Sequence, residues 1–131
     1  MEMRLNRSAA STLNDVMELA NVPEIPILLG VIFLIAGAAM RIFPPRKINA
    51  LYGYRTPRSM SSGTRWHFAQ KFAAYKLMES GIVLALVSLP FAFFKLPDPW
   101  RDWIGIAAIA SAILYPVIST ETAIKKHHPN P

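Results

Sequence analysis

Not one of the 131 residues is a cysteine, so a disulfide framework and a thiolate metal site are both excluded, and cysteine usage says nothing about the redox compartment. Charge is scarce as well. Only 17% of the residues are charged against 53% hydrophobic, with a mean hydropathy of +0.29, a balance that is unusual for a soluble chain of this size. The sequence also lacks a phosphate-binding glycine loop and any arrangement of serine and histidine that reads as a catalytic triad. Nucleic acid is not the expected partner of the net charge of +6, because the basic residues lie beside apolar runs, where they face anionic headgroups.

What is present is a set of three uncharged stretches, and they imply an all-α integral membrane protein. The first, about 23–43, contains the charge-free run from Ile25 to Met40 and approaches the roughly 20 residues that cross ~30 Å of hydrocarbon. Gly30 and Gly37 are one heptad apart on it, so another helix can approach that face closely. Arg41 is placed to snorkel to the headgroups, and Pro44-Pro45 ends the helix.

A second helix restarts near Ser62 or Thr64, either of which can cap it. Phe68, Phe72 and Tyr75 form an apolar stripe on its first half, among Arg65, His67, Gln70, Lys71 and Lys76 as polar ground. From Thr64 to Phe94 it would measure ~46 Å, longer than the hydrocarbon core, so it reads as an amphipathic interfacial extension leading into a span at about 76–94. Gly81 and Ala85 are a packing pair, and Pro90 is a kink near the far end.

The third span covers about 103–120, with Pro116 inside it and Trp100 and Trp103 at headgroup level. A polar tail follows from Glu121, and its adjacent His127 and His128 are too few for a closed metal site. No cofactor is expected. Ahead of the spans, residues 1–21 form a polar leader with no apolar run, and so no cleavable signal. In it Leu13, Val16, Met17 and Ala20 fall at helical spacing after a cap at Thr12, which describes either an amphipathic helix on the membrane surface or a frayed terminus.

The division is therefore a leader, 1–21, and one three-span domain, 22–131, with a loop at 44–66 between the first two spans. That loop and its flanks hold eight of the fourteen basic residues, which places the loop and the carboxyl terminus in the cytoplasm and the amino terminus outside.

The loop also gathers the candidate binding residues. Gly53 allows a turn that presents Tyr52 and Tyr54, and Pro57 holds Thr56 extended. Arg55 and Arg58 offer forked donors for a phosphate or carboxylate, Asn49, Thr56 and Ser59 add neutral hydrogen-bonding groups, and Trp66 can cover an apolar or cationic group. Together they outline a small polar pocket. The alternative is a loop that folds back on itself, with Asn49 and Arg55 satisfying backbone carbonyls and the aromatic residues anchored at the interface. Glu79 is a further candidate, an acid at the entry to a span with Lys76 and Tyr75 as local partners.

The run Asn49-Ala-Leu-Tyr52-Gly53-Tyr54-Arg55-Thr56, with Ser59 and then Trp66 beyond it, resembles the signature of the SdpI family of small bacterial membrane proteins, over roughly residues 44–81. The resemblance implies residence in the bacterial cytoplasmic (inner) membrane and a non-enzymatic role. It further implies immunity to a secreted peptide toxin and retention of a transcriptional repressor at the membrane. It marks Asn49, Gly53, Arg55, Thr56 and Trp66 as family-defining positions. The founding immunity protein of that family is longer, with further spans ahead of this module. Membrane lipid is the expected partner in any case. Two other roles fit the residues: an accessory or structural subunit that docks another membrane protein or a second copy through its small-residue faces, and a lipid-headgroup binder or membrane enzyme using Arg55, Arg58 and Tyr54 on a phosphate.

Overall fold

The computed structural model describes residues 2–20, 24–94, 97 and 99–129. Among the described residues the protein is entirely helical: α1 (Glu2–Ala20), α2 (Glu24–Ile42), α3 (Gly63–Phe93) and α4 (Trp100–His127), with one 3-10 turn at Ser59–Ser61. The last three helices are long and apolar enough to cross a membrane, over Ile25–Ile42, Gly63–Phe91 and Trp100–His127. The chain is a multi-pass membrane protein. Their large apolar side chains point outward in numbers that water would not tolerate, including Leu28, Ile35, Leu86, Ile106 and Ile118.

Helix α3 is central, packed on one side by α2 and on the other by α4, while α2 and α4 barely touch. Glycine sets how close α2 and α3 come. A Cβ added at Gly30 would lie 2.8 Å from the Gly81 carbonyl, and one added at Gly81 would lie 2.6 Å from the Gly30 carbonyl, so the two backbones meet with nothing between them. Gly37 repeats the approach one heptad along, against Ala74 and Met78. The small-residue faces expected on the first and second spans are therefore used against each other.

The ends of the helices follow from local chemistry. Ser62, in extended backbone, caps α3 by accepting a hydrogen bond from the Arg65 amide at 3.2 Å. The Pro44-Pro45 pair follows directly on α2, whose last backbone bond runs from Phe43 to Ala39. Pro90 and Pro116 both sit inside helices that continue past them.

Two local expectations need correction. Thr12 does not begin a helix, because α1 already starts at Glu2 and the Thr12 hydroxyl donates to the Ser8 carbonyl at 2.9 Å. Helix α4 runs two turns beyond the expected span of about 103–120, to His127, since the helix ladder closes as well with polar residues as with apolar ones. Gln70 and Arg65, read as polar ground, are both buried, for reasons that lie in the loop. Much of the connection between α3 and α4, including Lys95 and Asp98, lies outside the described residues.

Candidate functional site

The loop between α2 and α3 is held to the helices at four points. Trp66, fully buried on the first turn of α3, donates its indole N–H to the Pro45 carbonyl at 2.9 Å. One turn further along, the Gln70 carboxamide pairs with the backbone of Tyr54 in both directions, accepting from its N–H at 2.7 Å and donating to its carbonyl at 2.8 Å. A side chain that replaces two backbone partners explains the burial of a glutamine in an apolar helix.

Gly53 lies immediately before this pair with φ of +105°, a conformation that side chains strain to adopt. It also lacks room, since an added Cβ would run into the Gln70 carbonyl oxygen.

The third point is an acid. Glu121, on the last two turns of α4, accepts hydrogen bonds on one carboxylate oxygen from the Tyr54 phenol at 2.9 Å and the Thr56 hydroxyl at 2.6 Å. Its other oxygen lies 3.7 Å from Arg58 Nε. Ser59 completes the turn from beneath: its hydroxyl accepts from the Thr56 amide at 2.9 Å, and its own amide donates to the Thr56 hydroxyl at 3.1 Å. Burial, then the hydrogen bond and charge of Glu121, push the Tyr54 phenol well above the ordinary tyrosine range, so it is neutral and donating at any physiological pH.

The fourth point is Arg65, which spans from the Ser61 hydroxyl at 2.9 Å to the His128 carbonyl at 2.9 Å. It thereby satisfies an orphan carbonyl past the end of α4. Phe68 packs against the rings of His127 and His128 at 5.5 and 5.1 Å, so the two histidines serve as packing surface. Among the described residues no three His, Cys, Asp or Glu side chains come together as a metal site.

This arrangement divides the candidate residues. Tyr54, Thr56 and Arg58 converge on Glu121 with Ser59 bracing Thr56, and Gly53 and Trp66 serve the same fold from the other side. Asn49 holds a tight turn, accepting from the amides of Leu51 and Tyr52 at 2.9 and 2.8 Å and donating to the Lys47 carbonyl at 3.0 Å. Tyr52 and Arg55 face outward, and Arg55 forms no bond with any described residue.

Glu79 stands apart on α3, with Lys76 at 2.7 Å and the Tyr115 hydroxyl of α4 at 3.1 Å, at one end of an apolar groove of about 390 Å³ between α3 and α4. Tyr75, the other local partner expected for it, instead accepts from Arg41 at 2.9 Å, with the guanidinium 5.2 Å from its ring centre.

Glu121 and Gln70 were not among the candidates. One signal did point to the acid: no Asp or Glu occurs between Arg41 and Met78, so eight basic residues must find any carboxylate partner elsewhere, and Glu121 directly follows an uncharged span.

A family model described as the SdpI/YfhL protein family matches residues 46–120, which takes in the loop, α3 and most of α4. The chain belongs to that family. A curated relative, the uncharacterised protein YfhL of Bacillus subtilis strain 168, is 43% identical over 60 residues, 46% of this chain and 54% of that protein. The SdpI-family chain thus spans about half the length of the curated relative it matches. No solved structure matches it.

Proposed function

We propose that this SdpI-family protein is a non-enzymatic membrane protein of the immunity and signalling type, and that its basic interhelical loop binds a partner or senses a membrane-active peptide. Membership of an immunity-type family supports the class. The observation that carries the role of the loop is the division of its arginines. Arg65 bonds to the His128 carbonyl and Arg58 lies against Glu121, whereas Arg55, within the same signature, faces outward and bonds to no described residue. Its backbone neighbours Tyr54 and Thr56 are held by Gln70 and Ser59, so the turn that offers this guanidinium to an anionic or carbonyl-bearing group is already shaped.

The loop and the carboxyl terminus lie on the cytoplasmic side in this reading, supported by the excess of Lys and Arg there. An impermeant label that reaches the loop from outside intact cells would reverse that orientation.

The deciding experiment compares survival of cells carrying the parent, an Arg55→Ala variant at equal membrane level, or neither, under a panel of membrane-active peptides. Protection by the parent that is lost in the variant is the expected result. Survival equal to that of empty cells for both forms refutes the immunity reading.

A further inference from the structure

Between Pro45 and Gly53 the chain leaves the helical body and returns to the same place. Trp66 fixes the departure through the Pro45 carbonyl and Gln70 fixes the return through Tyr54. The two ends are in contact, since a Cβ at Gly53 would lie 2.8 Å from Pro45 Cγ. Inside the loop Asn49 orders the turn with three hydrogen bonds. The loop is therefore pinched and shaped, yet Ile48, Leu51 and Tyr52 on it stay exposed.

That surface is of an uncommon kind for a loop tip. Leu51 at the turn is 93% exposed, and Ile48 and Tyr52 are exposed beside it. Arg46 and Lys47 are exposed on the same loop, and neither side chain bonds to any described residue. An ordered turn that presents leucine and isoleucine next to two cations matches one environment well, the boundary between acyl chains and anionic headgroups. The loop is also in the right place. It starts three residues beyond Ile42, where α2 ends with Ile42 and Phe43 themselves exposed.

We infer that residues 46–52 form a membrane-inserting loop that docks on anionic lipid. Ile48 and Leu51 enter the acyl boundary, and Arg46 and Lys47 bind headgroup phosphates. Charge complementarity favours lipid over a protein partner, because the loop and its flanks hold no acid from Arg41 to Met78 and a bilayer is always adjacent. The inference goes beyond the proposed function and does not depend on it, since it uses neither Arg55 nor any peptide.

The absence of cysteine makes the test direct, because Leu51→Cys provides a single attachment point for an environment-sensitive fluorophore on the full chain. The labelled protein is reconstituted into phosphatidylcholine vesicles with and without phosphatidylglycerol. Blue-shifted emission, quenched by lipids carrying a quencher high on the acyl chain and stronger with phosphatidylglycerol, is expected. Arg46→Ala with Lys47→Ala weakens that lipid dependence, by about fivefold for each cation removed. Water-like emission identical in both vesicle types overturns the inference.

Because a fluorophore can itself prefer lipid, phosphatidylglycerol retained by unlabelled protein in mild detergent is also counted. Equal retention by the parent and the Arg46→Ala/Lys47→Ala variant overturns the headgroup role. A photo-crosslinker at position 51 that captures a polypeptide instead of lipid in cells overturns the choice of partner.

Discussion

Glu121→Ala removes the acceptor on which Tyr54, Thr56 and Arg58 meet, so it tests whether α4 holds the signature loop in place. Hydrogen bonds to a charged acceptor contribute about 1.5–3 kcal/mol each. The carboxylate side chain is 28% exposed, and water can partly replace it, so the lower end applies to the two hydroxyl donors. Arg58 at 3.7 Å, itself 34% exposed, adds well under ~1 kcal/mol after solvent screening. The sum is ~3 kcal/mol against opening of the loop, or a rise of about 100-fold in the open population. Glu121→Gln keeps a neutral acceptor oxygen and falls between, near ~1–2 kcal/mol.

Trypsin reads that population site by site on protein in mild detergent, because cleavage follows the open fraction when opening and closing are fast. The bond after Arg58 is the reporter, since Arg58 is pinned to Glu121. The bond after Lys47 is the internal standard, because Lys47 is exposed on the outer loop in either form. A large acceleration after Arg58 with little change after Lys47 is expected in Glu121→Ala. If both rates stay within about threefold of the parent while helicity is retained, the clamp contributes little and the reasoning fails.

Tyr54, kept neutral by burial and by Glu121, gives a pH dependence of definite sign. Its folded pKa lies above the unfolded value of about 10, so its contribution is complete below pH ~10 and is lost as pH rises beyond that, first in the loop. Absorbance titration of the phenolates should show a late-ionising component that is missing from Tyr54→Phe. A second prediction concerns the α2–α3 contact: Gly81→Ala, whose Cβ would meet the Gly30 carbonyl at 2.6 Å, forces the backbones apart at a cost of about 1–3 kcal/mol. Gly105→Ala, with nothing within 4 Å, should melt at or above the parent temperature in the same detergent, and equal melting of the two variants would refute the argument.

The architecture was legible because it rests on short-range signals. Uncharged runs of span length, Ser62 ahead of a helix and glycines a heptad apart each carry their own physical reason, and each is in place. The clamp was less legible because it is a pairing across sequence. Glu121 and Tyr54 are 67 residues apart, and hydropathy alone makes Glu121 the first residue of a polar tail. Gln70 shows the same limit from the other side. A polar residue among charged neighbours reads as solvated ground until a backbone amide and carbonyl 16 residues away are found to need it.

The clamp also decides which substitutions in the signature can report on recognition. Gly53, Tyr54, Thr56, Ser59 and Trp66 are accounted for by bonds within the chain, so a loss of activity on changing any of them is the loss of a shaped loop. Trp66→Ala would open a large cavity and orphan the Pro45 carbonyl, and a dead variant there carries no information about a partner. Arg55, Tyr52 and Leu51 stand exposed on the same turn, and their side chains bond to no described residue. A phenotype from Arg55 with the tryptic pattern of the parent therefore locates recognition on the outer face. A phenotype that appears only together with accelerated cleavage after Arg58 assigns the whole signature to folding.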